Sequence, residues 1–136
     1  MTSAAVELQK AVYATLSADA GLIALIGADR IHDHAPAHLA FPYVTFGRST
    51  VSDWATSTED GSEHIFTVHV WSNARGKSQA LEIMAIIGGL LHDAELSVAE
   101  HNLINLRQEF EELRYDADND VYHGTLRYRA VTEPAA

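Results

Sequence analysis

Between His64 and Trp71 the chain alternates without a break. Phe66, Val68 and Val70 fall on one side, Ile65, Thr67, His69 and Trp71 on the other. A period of two marks a strand, because successive side chains of extended backbone point to opposite faces. The same period returns late in the chain, where Tyr122, Gly124, Leu126, Tyr128 and Ala130 alternate with His123, Thr125, Arg127, Arg129 and Val131. Between these stretches the period changes. Leu81, Met84, Ile87 and Leu91, joined by Ile83 and Leu90, form one broad apolar stripe at helical spacing. A chain that switches between these periods is expected to pack helices on a sheet.

The remaining elements follow from local signals. Ala5, Leu8, Val12 and Leu16 recur at three or four residues, which predicts a helix from about Thr2 to Leu16 with Ser3 as its cap. Leu22 to Ile26, bracketed by Gly21 and Gly27, reads as a helical turn packed beneath it. Pro36 and Pro42 exclude a regular helix from Asp29 onward. A strand then opens at Tyr43 and continues to about Trp54, and a polar loop joins it to the His64–Trp71 strand as a hairpin. The apolar helix extends to about Asp93, with Ser78 or Asn73 available to cap it. Gly88-Gly89 inside it costs about 1 kcal/mol per glycine against Ala, which suggests close approach of a neighbour. Strands over Asn102–Tyr115 and Val121–Thr132 close the chain, and Glu109, Glu111 and Glu112 can pair across them with Arg127 and Arg129. Glu109 and Glu111 are expected on the same face. The expected architecture is α+β, a four-stranded, mainly antiparallel sheet with two helices packed on one face, in a single domain over residues 1–136.

Composition narrows the function. The chain has 136 residues, no cysteine and a formal net charge of −10. Disulfides, thiolate nucleophiles and cysteine-based zinc sites are therefore excluded. An anionic surface repels phosphate backbones, which argues against broad electrostatic binding to nucleic acid. No apolar run approaches the roughly 20 residues of a membrane span, and the start lacks the order of a signal peptide, so a cytoplasmic protein without membrane contact is expected.

The search for chemistry finds little. His32, His34 and His38 lie close together beside Asp29 and Asp33, but their spacing matches no metal motif, and they read as solvated or interface histidines. His69, sharing its strand face with Thr67 and Trp71, reads as a partly buried, hydrogen-bonded histidine. Ser49, Ser52, Ser57 and Ser62 lie near His64 without a nucleophile elbow. No phosphate-binding loop or dinucleotide fingerprint is present. The expectation is a protein without catalysis, cofactor or metal. Trp54, between Asp53 and a polar loop, is either an anchor for a partner or a ring folded over the sheet edge.

Three stretches together carry a resemblance. They are Phe41-Pro42-Tyr43-Val44-Thr45-Phe46-Gly47, the junction from Val70-Trp71-Ser72 to Gly76-Lys77-Ser78, and Tyr122-His123-Gly124-Thr125-Leu126-Arg127-Tyr128-Arg129-Ala130. With the element order they resemble the tail-terminator, or tail-completion, family of long-tailed phages, prophages and gene transfer agents. The resemblance implies a homo-hexameric ring in the particle tail, assembled in the bacterial cytoplasm. Such a ring caps the tail tube protein, joins the head-side connector or stopper protein and lets DNA pass without specific binding. Another head–tail connector or a tube subunit of the same particle is the alternative. Two polar segments, Ser52 to Glu63 and Asp116 to Asp120, are the expected contact regions with the tube, the connector, a neighbouring subunit or the lumen. Their candidate residues are Asp53, Trp54, Glu59, Asp60, Glu63, Asp116, Asp118, Asn119 and Asp120.

Overall fold

The computed structural model describes residues 3–135. The chain begins with α1 (Ala4–Ala18), whose first turn is capped by the Ser3 hydroxyl accepting from the Val6 amide at 3.4 Å. Thr2, where the sequence places the start of this helix, lies outside the described residues. Asp19 ends α1 and caps α2 (Ala20–Ile26), its carboxylate accepting from the Leu22 amide at 2.9 Å. A two-residue strand, β1 (Ile31–His32), precedes β2 (Tyr43–Asp53) and β3 (Ser62–Ser72). Then come α3 (Ser78–Leu91), β4 (His101–Asp116) and β5 (Val121–Pro134). The Phe41–Pro42 peptide leading into β2 is cis.

The five strands form one sheet in the order β1-β2-β3-β5-β4. β1 runs parallel to β2, and the other neighbours are antiparallel. Among the described residues, the expected four strands and two helices thus become five and three. The added strand is too short for its period to be read. Ile31 pairs with Val44 because the Val44 amide donates to the Arg30 carbonyl at 2.8 Å, a contact between segments separated by a proline-rich loop. The turn expected at Leu22–Ile26 is the short helix α2.

The helices pack on one side of the sheet. Leu8, Val12 and Leu16 of α1, Leu22 and Ile26 of α2, and Ile83, Ile87 and Leu91 of α3 meet Val44, Val68, Val70, Leu126 and Tyr128 in one buried core. Removing a buried leucine side chain from such a core costs about 2–5 kcal/mol. Neither Ser78 nor Asn73 caps α3. Lys77 occupies the cap position and makes no side-chain cap bond. The junction is held instead by Ser72, whose hydroxyl donates to Gln79 at 2.6 Å and accepts from the Ala74 amide at 3.2 Å.

Three register shifts reset the alternation. In β2 one falls between Phe46 and Ser49, and in β4 they fall between Leu103 and Asn105 and between Gln108 and Phe110. An extra residue moves everything after it by one position. Phe110 therefore stands opposite Arg127, and Glu111 opposite the buried Leu126. Glu109 and Glu111 consequently lie on opposite faces of β4, not on the same face. Glu109 is ion-paired with Arg127 at 3.7 Å, whereas Glu111 accepts from Gln108 on the helix side at 3.4 Å. Among the described residues, no helix is long and apolar enough to cross a membrane.

Candidate functional site

The helical layer leaves the other face of the sheet uncovered. The odd-numbered residues of β3 and β5 line it, and register brings two histidines together there, with Trp71 opposite His123 and His69 opposite Thr125. The His123 ring stacks on Trp71 with centroids 3.9 Å apart, and Tyr43 stacks on the far side of Trp71 at 6.2 Å. Phe41 extends the row at 5.1 Å from Tyr43. His69 Nδ1 lies 2.7 Å from His123 Nε2, so one ring donates and the other accepts. His69 Nε2 reaches the Thr67 hydroxyl at 3.1 Å, and the Trp71 indole N–H donates to Thr45 at 3.0 Å. Gly47 lets this packing exist, because a Cβ there would run into the His69 ring and the Thr67 hydroxyl.

Burial sets the charge of this ladder. It lowers the pKa of His69, and it is the main reason the His123 pKa falls to about 4, with the charges of His69 and Arg114 adding to the effect. Both rings are neutral at pH 7. Towards the other end the same face turns ionic. Arg129 donates to Glu63 at 2.7 Å, and Arg127 lies over the Phe110 ring at 4.9 Å while pairing with Glu109. The cations here are matched by carboxylates, and no unbalanced basic stripe results.

The predicted contact residues fall into two groups that the sheet holds apart. Asp53, Trp54, Glu59, Asp60 and Glu63 belong to the β2–β3 connection, whose irregular part is 54–61. Asp116, Asp118, Asn119 and Asp120 form the β4–β5 turn. Register pairs Ser62 with Thr132 and Ser72 with Tyr122, so the two groups sit at opposite ends of the strands, about 30 Å apart at 3.3 Å per residue. Glu63 is committed to Arg129, and Asp53 accepts from the Ala55 amide at 3.0 Å. Glu59 donates its amide to Thr56, and its carbonyl accepts from the Thr56 amide. Asp60 is exposed. Trp54 folds back over the sheet edge. Its ring lies against Gly61 and lines a small cavity with Ile104 and Val131, yet it remains 48% exposed.

The acidic turn is organised by its own residues. Asp116 accepts from the Asn119 side chain at 2.8 Å and from the Asp118 amide at 3.1 Å, which lowers its pKa. Asp120 has φ of 53° and accepts from the Tyr115 hydroxyl at 2.5 Å. His32 bonds to the Asp29 carbonyl at 2.7 Å. Among the described residues, no group of three or more His, Cys, Asp or Glu side chains converges to hold a metal. The ladder Tyr43–Trp71–His123–His69 went unrecognised in the sequence, which shows the alternation of each strand but not the register that stacks one on the other.

A helical layer, an uncovered sheet face and two polar ends describe an α+β domain with surfaces left open to solvent. The fold is similar to a chain of a solved structure described as "Virion of native gene transfer agent (GTA) particle". The TM-score is 0.88 and the identity 32%, over 98% of this chain and 99% of that one. The family "Tail completion protein gp17" matches residues 10–133, and the chain belongs to that family. No curated protein sequence matches it.

Proposed function

We propose that this protein ends the tail of a phage-like particle as a structural component without catalysis, cofactor or metal. Six copies form a ring on the last layer of the tail tube and join it to the head-side connector or stopper protein. DNA crosses the ring without specific binding. The observation that carries this reading is the end-to-end similarity to a chain of an assembled gene transfer agent particle. The match spans 98% of this chain and 99% of that one, which supports a shared role for the domain as a whole. The placement of the two polar segments supports the same reading. A ring subunit that joins a tube to a connector needs two distinct axial ends, and the sheet puts 54–61 at one end and 117–120 at the other. The charge of −10 per copy favours a lumen that phosphate slides past rather than sticks to.

Shortening each segment separately and scoring particles by electron microscopy tests the reading. One deletion is expected to give overlong tails and the other headless tails, with the isolated variants still folded. Normal particles from both folded deletions contradict the assignment of the contact ends.

A further inference from the structure

Each edge of the sheet is covered over part of its length and open over the rest. On one side β1 pairs with β2 only at Val44 and Thr45. Beyond that point, residues 47–53 are exposed, and among the described residues only the β3 ladder and the Thr67 hydroxyl reach their backbone. On the other side, the segment after α3 seals the first half of β4. The Asp93 amide donates to the Leu106 carbonyl at 2.8 Å, and the Gln108 amide donates to His92 Nδ1 at 3.0 Å. From Phe110 to Asp116 no such cover is present among the described residues. Unpaired edges recruit other strands, and proteins usually blunt them. Here the blunting stops partway on both sides.

The two open stretches match in polarity. Val44 and Leu106, whose backbones point outward at the two edges, are both on the helix side of the sheet. Carrying the alternation past the bulges, Ser49, Val51 and Asp53 point their backbone groups outward on β2, and Glu111, Leu113 and Tyr115 do so on β4. Both triplets therefore share the helix face. β2 and β4 run in opposite directions, since three antiparallel steps separate them. A second copy placed beside the first in the same orientation thus offers β2 antiparallel to β4, with helix side next to helix side.

We propose that the open stretch of β2 in one copy pairs antiparallel with the open stretch of β4 in the next, so that the sheet continues from subunit to subunit. The inference rests on the ring reading above. Centring the triplets sets Val51, which is 51% exposed in the single chain, against Leu113. It also sets Arg48 against Asp116. The same register brings Asp53 beside Glu111, a like-charge contact that weakens association between free copies.

The open stretches lie at opposite ends of the strands, so each copy is staggered against its neighbour. Val51 is level with Leu106 across the sheet, through His64 and Ala130. Meeting Leu113 instead requires a slide of about 20 Å at 3.3 Å per step, with the bulged residue discounted. Four strands span about 19 Å at about 4.8 Å per strand. A closed ring absorbs such a stagger by tilting its strands, here by about 45°, next to the 35–45° typical of closed sheets. Two different edges on one subunit make a head-to-tail contact, and closure keeps it from growing without end.

The absence of cysteine gives a clean test. In this register Ser52 faces Glu112 as a pair without hydrogen bonds between them, with Cα atoms about 4.5 Å apart, within disulfide range. Particles assembled with the Ser52→Cys/Glu112→Cys double variant are oxidised and resolved on non-reducing gels, with the ring layer counted by electron microscopy. Links between copies up to a closed ring are expected from the double variant and from neither single variant. Thr50→Cys/Arg114→Cys, the adjacent facing pair, serves if the first variant does not fold. A ring layer without links overturns the edge pairing and leaves the ring reading standing. Links from Glu112→Cys alone indicate β4 against β4 and also overturn it. Tails carrying no ring of this chain overturn both.

Discussion

The imidazole of His123 lies over the indole of Trp71 with ring planes 7° apart, and its Nε2 shares a hydrogen bond with His69. The pair belongs to strands 52 residues apart in sequence, read from Trp71 to His123. It places two titratable groups in a stacked, half-buried position on a face that no helix covers. That face loses its neutrality when the rings gain protons.

A pH dependence follows. Burial holds the His123 pKa at about 4, below the ordinary 6.5, and lowers those of His69 and His64 as well. Between those two values the unfolded chain binds more protons than the folded one, so stability falls as the pH drops from 6.5 towards 4. Well above 6.5, where the rings are neutral in both states, these groups contribute no slope. Urea unfolding at a series of pH values should show this loss, and His123→Phe, which keeps the stack, should reduce its steepness. An unchanged slope in that variant would count against the assignment.

The contact between α3 and β5 depends on a missing side chain. A Cβ at Gly124 would sit 2.5 Å from the Met84 sulfur. Gly124→Ala should therefore destabilise by about 1–3 kcal/mol through overpacking. Met84→Ala removes the obstructing atoms, so the double variant should lose less than the sum of the two single losses. Chemical denaturation of the four proteins measures this directly.

Tyr128 is buried, and its hydroxyl donates to the Gln108 side chain at 2.9 Å. Tyr128→Phe should cost about 1 kcal/mol, the net worth of one such bond. Tyr128→Ala should cost about 3–5 kcal/mol, because the ring itself fills the core against Phe66. Near-equal losses in the two variants would mean that the hydroxyl, not the ring, dominates.

The ionic part of the uncovered face should matter little to folding. Arg129 and Glu63 are close but partly exposed, so a double-mutant cycle should return about 1 kcal/mol or less. Leu16→Ala on the covered side should cost about 2–5 kcal/mol. If the Arg129–Glu63 coupling exceeded the loss at Leu16, the division into a load-carrying helix side and a lightly held outer side would be wrong.

Much of this architecture was legible in the sequence where a period repeats. Phe66, Val68 and Val70 announced β3, and Ile83, Ile87 and Leu91 announced the buried side of α3. β1 was not legible, since two residues have no period and their partner lies across a proline-containing loop. The face of Glu111 was misread because a bulge leaves no local trace in the sequence. Of the contact regions, the polar segments were legible as loops, but their separation to opposite ends depends on pairing β3 with β5, which no single strand encodes. The aromatic–histidine ladder was hidden for the same reason.

If this protein is the final layer of a tail, cryo-electron microscopy of intact particles will show one ring of six copies between the last tube layer and the head-side connector, with 54–61 and 117–120 facing opposite axial neighbours. Density for this chain stacked in many layers along the tail would contradict that reading and identify a tube subunit instead.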